Sequence, residues 1–555
     1  MPKPNQRNVE EIIKQEFDER SGVLDLHYCG ISEIPSVIRE MTWLKILNLG
    51  SDGLWNKNQG KWGAFNEGLR EPKNNITILP SWLSEIRELE QISLDGTGVL
   101  DFSVLMLLPK LKTLFCDIER LDVLDQIGKI STLEKLSFNE TKVVDLAPLI
   151  SLTRLRELFF SASNVSDLSP LSAMIKLEVL NCGTTSVTDL SPLRELTCLR
   201  ELYCFKTKVS DLSPVSTLTA LEELNCGATS VADLSPLSDL TCLRLLRCFE
   251  TKVSDLSPVS ALTALEELNC GTTSVTDLSP LRELTCLREL YCFKTKVSDL
   301  SPVSALTALE ELNCGTTSVT DLSPLRELTR LRQFSCYETK VSDLSPVSAL
   351  TALEELNCGT TSVTDLSPLR ELTRLRQFSC YETKVSDLSP VSALTALEEL
   401  NCGTTSVTDL SPLRELTCLR ELYCFKTKVS DLSPVSALTA LEELHCGTTS
   451  VTDLSPLREL TCLRELYCYE TKVSDLSALR EMDCLQVFSC TDTQVSDLSP
   501  LRKTISLETL RCGKTSVIDL SPVNKLSKLS EVKFQNTNIR DLLPLSQLKN
   551  LSVIE

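Results

Sequence analysis

A leucine recurs with a 22-residue period over most of this 555-residue chain, and this period constrains the fold more than any other feature. The register runs unbroken from Leu89 to Leu551 and defines 21 complete units. In the unit 265–286, LEELNCGTTSVTDLSPLRELTC, apolar residues occupy positions 1, 4, 6, 11, 14, 17 and 20. One unit is too short to bury its own leucines, so neighbouring units must stack and share a continuous core. The sequence therefore predicts a solenoid.

The spacing within a unit predicts its local structure. Leu268 and Cys270 lie two residues apart, which places both on one face of a short strand. Positions 11 to 20 carry apolar residues three apart, which favours 3₁₀ or irregular turns over an α-helix. Ser279–Pro280 fits a cap followed by proline in the first turn, and Asp277 can accept backbone N–H bonds. Thr273, at position 9, is expected to bond the turning backbone through its hydroxyl.

The spacing of leucines resembles the leucine-rich repeat, LxxLxLxxNxL, over nearly the whole chain. The tail DLSPLxxLTxL is similar to the 22-residue units of bacterial internalins, and the chain departs from the consensus with Cys at position 6 and Thr at position 9. The resemblance implies an α/β solenoid. In that family it is a curved superhelix with a parallel β-sheet on the concave face and 3₁₀ or turn segments on the convex face.

The N-terminal segment departs from the regular period. Val9, Ile12, Ile13 and Phe17 share one helical face behind Asn8, so residues 1–20 are predicted to form a helical cap. Residues 21–88 contain two units of the 23-residue, Pro-containing type with an insertion at about 51–74, and residues 89–555 contain the regular units and a C-terminal stub. The two irregular units are similar to those of bacterial Roco-type arrays, but no GTPase motif GxxxxGK[ST] is present.

Residues at the outward strand positions, expected to be 2, 3, 5, 7 and 8, are candidates for contact with a partner. Between Leu177 and about Tyr469 two unit types alternate in a 44-residue super-repeat, so position 2 alternates Glu and Arg and position 7 alternates Gly with an aromatic residue. Aromatic residues on a polar sheet are typical anchors of an interface. A second interpretation is that the rings only fill the step left by Gly in the neighbouring unit. The predicted protein-binding residues are Tyr203, Phe205, Lys206, Tyr291, Phe293, Lys294, Tyr337, Tyr381, Tyr423, Phe425, Lys426, Tyr467 and Tyr469.

The insertion supplies two further predicted protein-binding residues, Trp55 and Trp62. This loop is either a lid with its rings packed on the solenoid or a contact loop.

The 24 cysteines follow the repeat, with 17 at position 6, six at position 22, and Cys29 alone. Thiols that recur with the core period are expected to be small buried hydrophobes. A redox-sensor role is an alternative, although burial makes thiols inert. The first residues, MPKPNQRN, lack an apolar segment behind them, and no stretch reaches the roughly 18 apolar residues of a membrane span. Together these features predict a cytoplasmic protein without a membrane contact, and the resemblance to internalins implies a bacterial one.

The charge and the scarcity of histidine limit the possible functions. The formal charge of −20 gives no reason to expect binding to nucleic acid. Only His27 and His445 are present, and no CxxC pair occurs, so neither a Cys–His dyad nor a metal site is expected, and no cofactor is implied. His445 occupies a position that is Asn in sibling units and is interpreted as drift.

These observations predict a non-catalytic recognition or scaffold protein that binds a protein partner on the concave face. A surface or secreted internalin-like adhesin is one alternative. A thiol-dependent ligase is another, but the array leaves no room for a catalytic domain. A third alternative is a structural protein that self-assembles, for example as a homodimer, through the open edge expected at the last strand, in the C-terminal stub. The other interpretation of this end is that Glu555 and the charged last turns are enough to protect the edge.

Overall fold

The computed structural model describes residues 8–50, 55–56, 61–62, 73–118, 121–546, 548 and 551–554. The chain divides into two compact units, Met1–Ser274 and Val275–Glu555. The predicted boundaries at residues 20 and 88 separate types of repeat and not compact units, and they stay a prediction. None of the helices in the described ranges has the length and apolar character needed to cross a membrane.

The first unit begins with helix α1, Val9–Glu19, as the apolar pattern predicts. Asn8 caps the helix by accepting a 3.2 Å hydrogen bond from the Glu10 N–H. The buried Glu16 carboxylate accepts hydrogen bonds from the Gly22 N–H, at 2.8 Å, and from the indole N–H of Trp43, at 3.0 Å. These bonds fix the helix against the first repeat, so α1 covers the first edge of the solenoid.

The first unit contains one parallel sheet in which each strand pairs with the strand of the next repeat, in register from one regular unit to the next. A separate antiparallel pair joins β3 and β4. Helix α2, Leu121–Ile127, replaces the 3₁₀ segment of one repeat. The strands are β1 Val23–Asp25, β2 Ile46–Asn48, β3 Trp55–Asn56, β4 Lys61–Trp62, β5 Gln91–Ser93, β6 Thr113–Phe115, β7 Lys135–Ser137, β8 Glu157–Phe159, β9 Val179–Asn181, β10 Glu201–Tyr203, β11 Glu223–Asn225, β12 Leu245–Arg247 and β13 Glu267–Asn269.

The second unit repeats this arrangement with one parallel sheet. Its strands are β14 Glu289–Tyr291, β15 Glu311–Asn313, β16 Gln333–Ser335, β17 Glu355–Asn357, β18 Gln377–Ser379, β19 Glu399–Asn401, β20 Glu421–Tyr423, β21 Glu443–His445, β22 Glu465–Tyr467, β23 Val487–Ser489, β24 Thr509–Arg511, β25 Glu531–Lys533 and β26 Ser552–Ile554. The predicted self-assembly through the edge of the last strand stays a prediction.

Each regular repeat returns through a 3₁₀ segment of three or five residues, such as Ser279–Leu281 and Ser301–Ala305. Asp277 initiates the turn, because its Oδ1 accepts the Ser279 N–H at 2.8 Å and its Oδ2 accepts the Ser279 hydroxyl at 2.6 Å. The serine was predicted to cap the segment, but it is the first residue inside it. The capping acceptor is the aspartate, which supports the prediction made for that side chain.

The core lies between the strands and the 3₁₀ segments. The side chains at positions 1, 4, 6, 11, 14, 17 and 20 are buried, as Leu309, Leu312, Cys314, Val319 and Leu322 illustrate. Together with one strand and one 3₁₀ segment per repeat, this burial confirms the predicted solenoid.

The predicted threonine ladder is also present at position 9. The Thr317 hydroxyl donates a 2.6 Å hydrogen bond to the carbonyl oxygen of Cys314, and the same bond recurs from Thr185 to Thr515. The preceding residue, at position 8, adopts a left-handed conformation with φ near 55°, as at Thr316 and Ala228. The ladder therefore satisfies a buried carbonyl at a turn that is otherwise unfavourable for a residue with a Cβ.

The two groups of cysteines have different environments. Those at position 6 are buried, and burial raises the pKa of Cys446 to about 12 and holds that of Cys424 well above its ordinary value. Those at position 22, such as Cys418 and Cys462, are exposed. The expectation that all repeated cysteines belong to the core is therefore wrong for position 22, which lies in the turn just before each strand.

Candidate functional site

The candidate site is the solvent side of the sheet, hereafter the sheet face, formed by positions 2, 3, 5, 7 and 8. The alternation along each three-residue strand creates it, because the central residue is buried and its two neighbours are directed outward. In β15, Leu312 is buried, whereas Glu311 and Asn313 are partly exposed. The sheet face of the second unit is described first, because it carries most of the predicted residues.

The alternating Glu and Arg residues of position 2 form a ladder of ion pairs. Arg288, Arg332 and Arg376 each contact the glutamate of the next repeat, whereas Arg464 contacts Glu442 of the preceding one. The N···O distances are 2.8 Å for Arg288–Glu310, 2.9 Å for Arg332–Glu354 and 2.7 Å for Arg376–Glu398. The arginine side chains are more than half exposed, so each pair contributes at most about 1 kcal/mol. Position 2 is electrically balanced and leaves little charge to attract a partner.

Position 3, in contrast, forms a row of carboxylates. Glu399, Glu421, Glu443 and Glu465 occupy the same position in four consecutive strands, β19 to β22, about 4.8 Å apart. Among the described residues, no lysine or arginine forms an ion pair with these four glutamates. Burial and the neighbouring glutamates raise the pKa of Glu399. The row is therefore negative, and its members repel one another.

The predicted tyrosines at position 5 bind this row rather than stand free. The hydroxyl of Tyr291 donates to Glu289 at 3.0 Å, that of Tyr423 to Glu421 at 2.8 Å, and that of Tyr467 to Glu465 at 2.6 Å. Burial, followed by the neighbouring carboxylates of position 3, raises the pKa of each tyrosine. In the first unit Tyr203 makes the same contact with Glu201, at 2.9 Å, and a second with Glu223, at 2.6 Å.

His445 was interpreted as drift from the sequence, but it lies between two of these tyrosines. Its ring centroid is 4.8 Å from that of Tyr423 and 4.0 Å from that of Tyr467, and its Nε2 is 2.6 Å from Oε1 of Glu443. The three rings form a continuous row across β20 to β22, hereafter the ring stack, in which neighbouring ring planes are tilted by 43° and 30°. The sequence signal was available, because the equivalent position is tyrosine in both the preceding and the following repeat.

The aromatic residues at position 7 are partly exposed. Most of them lie with the ring over the glycine of the preceding repeat. A Cβ added to Gly315 would lie 2.3 Å from the ring of Tyr337, and one added to Gly403 would lie 2.7 Å from the ring of Phe425. The same contact joins Gly183 to Phe205, Gly227 to Phe249 and Gly447 to Tyr469. These rings therefore occupy the space above the glycines, and their role in binding a partner stays a prediction.

Tyr381 is the exception among the position 7 rings. Its ring does not cover Gly359 but approaches the ring of Phe425, with a centroid distance of 5.9 Å. The tyrosines of position 5 thus lie on the glutamates, and the predicted position 7 rings that cover a glycine are Phe205, Tyr337, Phe425 and Tyr469. Phe293 is also partly exposed. The predicted lysines of position 8, each of which follows an aromatic residue in sequence, are exposed: Lys206, Lys294 and Lys426.

A depression of about 300 Å³ lies on the sheet face between β15 and β19. It is present where position 5 carries the small residues Asn313, Ser335, Asn357 and Ser379 instead of tyrosine. Glu355 and Glu399 line it together with the amides of Gln333 and Gln377, and Gln333 donates to Glu355 at 3.1 Å. The depression borders the ring stack, since β19 pairs with β20.

The sign of the sheet face changes near the last strands. Arg511, Lys514 and Lys533 line a second depression, of about 370 Å³. Two of these residues are paired with Glu531, which contacts Lys533 at 3.0 Å and Arg511 at 3.4 Å. Position 3 of β23 and β24 is Val487 and Thr509, so the row of glutamates ends at Glu465. The acidic surface is thus confined to a defined stretch of the sheet.

Two of the predicted residues cannot be placed on this face. The backbones of Trp55 and Trp62 pair across the antiparallel strands β3 and β4. Their side chains, and the question of a lid or a contact loop, lie outside the described residues. Within the described ranges, no group of three His, Cys, Asp or Glu residues is placed to hold a metal ion.

Comparison with known proteins identifies the family. The model of two-copy leucine-rich repeats matches residues 287–327, and no curated protein matches the chain. The crystal structure of the internalin InlF from Listeria monocytogenes is 30% identical to the chain, with a TM-score of 0.52; the match covers 53% of this chain and 88% of InlF. The functional domain of InlJ from Listeria monocytogenes, which includes a cysteine ladder, is 26% identical, with a TM-score of 0.53; that match covers 63% of this chain and 75% of InlJ.

A plant peptide hormone receptor, RGFR1, shares only the fold. It is 15% identical with a TM-score of 0.59, and the match covers 96% of this chain and 89% of the receptor. The repeat, the paired strands and 3₁₀ segments, and the identity to InlF agree with one another. The chain belongs to the internalin-like leucine-rich repeat proteins.

Proposed function

We propose that this chain is a non-catalytic recognition or scaffold subunit that binds a protein partner on the sheet face of its second unit. The observation that carries the proposal is the ring stack of Tyr423, His445 and Tyr467 beside the 300 Å³ depression. Partly exposed aromatic side chains next to a concave, polar surface are typical anchors of protein interfaces. Leucine-rich repeat proteins in general serve as protein-interaction scaffolds, which supports the proposal.

The chemistry of the sheet face also favours binding over catalysis. His445 contacts Glu443, but the buried cysteines of position 6 have raised pKa values, which disfavours the thiolate that a nucleophile needs. The tyrosine hydroxyls donate to glutamates, and the raised pKa values of Tyr423 and Tyr467 keep these hydroxyls protonated. These groups are suited to hold a ligand by hydrogen bonds and ring contacts.

We further propose a cytoplasmic location. The support is the set of exposed thiols at position 22, for example Cys418 and Cys462, since exposed thiols persist in reducing compartments. Fractionation of the source cells with an antibody to the chain tests this. Recovery of the chain at the cell surface or in the medium would favour the alternative function of an internalin-like adhesin.

The binding function is tested by affinity capture from a lysate of the source cells in reducing buffer. The variant Tyr423→Asn/Phe425→Gly removes two sheet-face rings, and it uses residues that sibling units already carry at positions 5 and 7. The control variant Arg414→Ala/Arg458→Ala alters two exposed residues beside the 3₁₀ segments, on the opposite side of the unit. A partner that the wild type and the control retain, and that the ring variant loses, supports the proposal. Equal capture by all three proteins contradicts the assignment to the sheet face.

A further inference from the structure

We infer that the segment recognised by this face is basic and extended, with Arg or Lys side chains that contact both the carboxylates and the stacked rings of β20 to β22. This inference rests on the proposed function and adds the chemistry of the partner. The contact surface, hereafter the glutamate–ring surface, consists of Glu421, Glu443, Glu465, Tyr423, His445 and Tyr467.

The first step is the charge of the glutamate–ring surface. The described donors to its carboxylates are the neutral hydroxyls of Tyr423 and Tyr467 and the imidazole of His445. The arginines that directly precede strands β20 and β22, at position 2, already form ion pairs, since Arg420 and Arg464 both contact Glu442. Three adjacent carboxylates about 4.8 Å apart repel one another, and a cation placed between them would relieve that repulsion.

The second step is the ring stack, which an acidic patch alone would not require. The rings of Tyr423, His445 and Tyr467 are partly exposed, and their centroids are separated by 4.8 and 4.0 Å. A guanidinium or ammonium group gains cation–π attraction over a tyrosine ring, and arginine also stacks on it. Because each tyrosine donates to a glutamate, a cation over the ring is also close to a carboxylate. The two attractions therefore act on the same side chain, which selects a basic group rather than an apolar one.

The third step is the extent of the surface. From β15, at the edge of the depression, to β22 there are seven strand intervals, which span about 34 Å at the usual strand spacing. An extended chain of about ten residues covers that distance. Alternate side chains of such a segment are directed to the same side, so several cations can face the glutamates. The depression, lined by Glu355 and Glu399, has room for the side chains beyond the rings.

The experiment measures fluorescence anisotropy of the full chain with labelled ten-residue peptides in which Arg, Glu or citrulline alternates with Ser. The test variant is Glu421→Gln/Glu443→Gln/Glu465→Gln, a change that the array already carries as Gln333 and Gln377. The matched control Glu371→Gln/Glu415→Gln/Glu459→Gln removes the same charge from exposed residues at the 3₁₀ side. A third variant, Tyr423→Asn/His445→Asn/Tyr467→Asn, removes the rings with their hydroxyl and imidazole groups and leaves the three glutamates in place.

The Arg–Ser peptide is expected to bind the wild type and the control within about twofold of each other. The glutamine variant at position 3 should bind it about tenfold more weakly, and the ring variant about fivefold more weakly. The citrulline peptide, which has the shape of arginine without its charge, should bind at least tenfold more weakly than the Arg peptide. A loss of equal size in both glutamine variants would reduce the binding to general charge attraction and overturn the inference.

The proposed function can survive failure of this inference. If captured partners depend on the rings of Tyr423 and Phe425 but bind the position 3 glutamine variant unchanged, recognition is on the sheet face and the partner is not basic. If the Arg–Ser peptide binds as expected but no cellular protein is captured, the chemistry of the surface stands and the function as a protein receptor fails. Concentration-dependent self-association that the position 3 variant abolishes would make a second copy the occupant and overturn the inference.

Discussion

Substitution of the position 7 glycines by alanine gives a direct test of the ring positions. The residues 309–352 and 353–396 are identical in sequence, and Gly315 and Gly359 are equivalent within them. A Cβ on Gly315 would lie 2.3 Å from two ring atoms of Tyr337, whereas the nearest atoms to a Cβ on Gly359 are a backbone oxygen at 3.1 Å and the Asn357 Oδ1 at 3.2 Å. We expect Gly315→Ala to destabilise the fold more than Gly359→Ala.

The magnitude follows from the distances. Unstrained carbon atoms are separated by about 3.5 to 4.0 Å, so the ring of Tyr337 must retreat by more than about 1 Å, and overpacking of this kind costs about 1–3 kcal/mol. The Gly359→Ala contacts need shifts of only a few tenths of an ångström. The small free-energy cost of these shifts is offset by about 0.4–1 kcal/mol, because alanine lowers the conformational entropy of the unfolded chain relative to glycine. Because both variants share this gain, they should differ by the overpacking cost at Gly315, about 1–3 kcal/mol.

The assay is thermal and urea unfolding of the full chain, followed by circular dichroism. The double variant Gly315→Ala/Tyr337→Leu supplies the thermodynamic cycle, because removal of the hydroxyphenyl ring should recover about 1 kcal/mol of the alanine cost. The reasoning is refuted if Gly315→Ala and Gly359→Ala lower stability equally. It is also refuted if the double variant shows no coupling, since the ring over Gly315 would then contribute nothing to the clash.

Three further predictions concern the repeat itself. Thr361→Val should destabilise the fold by about 1 kcal/mol in urea unfolding, because the hydroxyl donates a 2.6 Å bond to the buried Cys358 carbonyl, whereas Thr361→Ser should be less harmful. Ala228→Gly should raise the melting temperature, with a gain of about 1 kcal/mol, because Ala228 has φ of 54° and carries no polar side chain that would be lost; an unchanged or lower temperature would contradict the argument. Stability should fall as pH rises above about 9 towards 12, because the unfolded thiols ionise while burial raises the pKa of Cys446 to about 12. Each such thiol contributes about 1.4 kcal/mol per pH unit. We expect the buried-site variant Cys446→Val to weaken this pH dependence and the exposed-site variant Cys462→Ser to leave it unchanged. The opposite pattern would contradict the argument.

The repeat period predicted the parts of the fold that depend on burial. The leucines, the buried Cys314 and the hydroxyl of Thr317 follow from position alone, because each lies inside a stack in which every neighbour is the same residue. Exposure at position 22 was not predicted, since Cys462 has an apolar side chain but lies in a turn just before the strand. A period reports which face a residue occupies only where the backbone is regular.

The directions of side chains on the open face were harder to predict. Tyr337 and Tyr381 lie in identical sequences, yet one ring covers its glycine and the other approaches Phe425. Their surroundings differ at position 7 two repeats further along the chain. That residue is Tyr381 for Tyr337 and Phe425 for Tyr381. On a surface with several open rotamers, such distant neighbours decide the conformation. The stack around His445 was missed for the same reason, because its partners belong to the adjacent repeats on either side rather than to its own.

The alternation of two unit types limits how the number of repeats in this array can change through recombination of its gene. Loss of residues 353–396 by recombination would join junctions of the same kind, with every arginine of position 2 still facing a glutamate and every ring still beside a glycine. Loss of 353–374 alone would bring Arg332 against Arg376 and Tyr337 against Tyr381. We therefore expect natural variants of this array to differ in copy number by steps of two repeats, so that the binding surface lengthens or shortens by whole pairs.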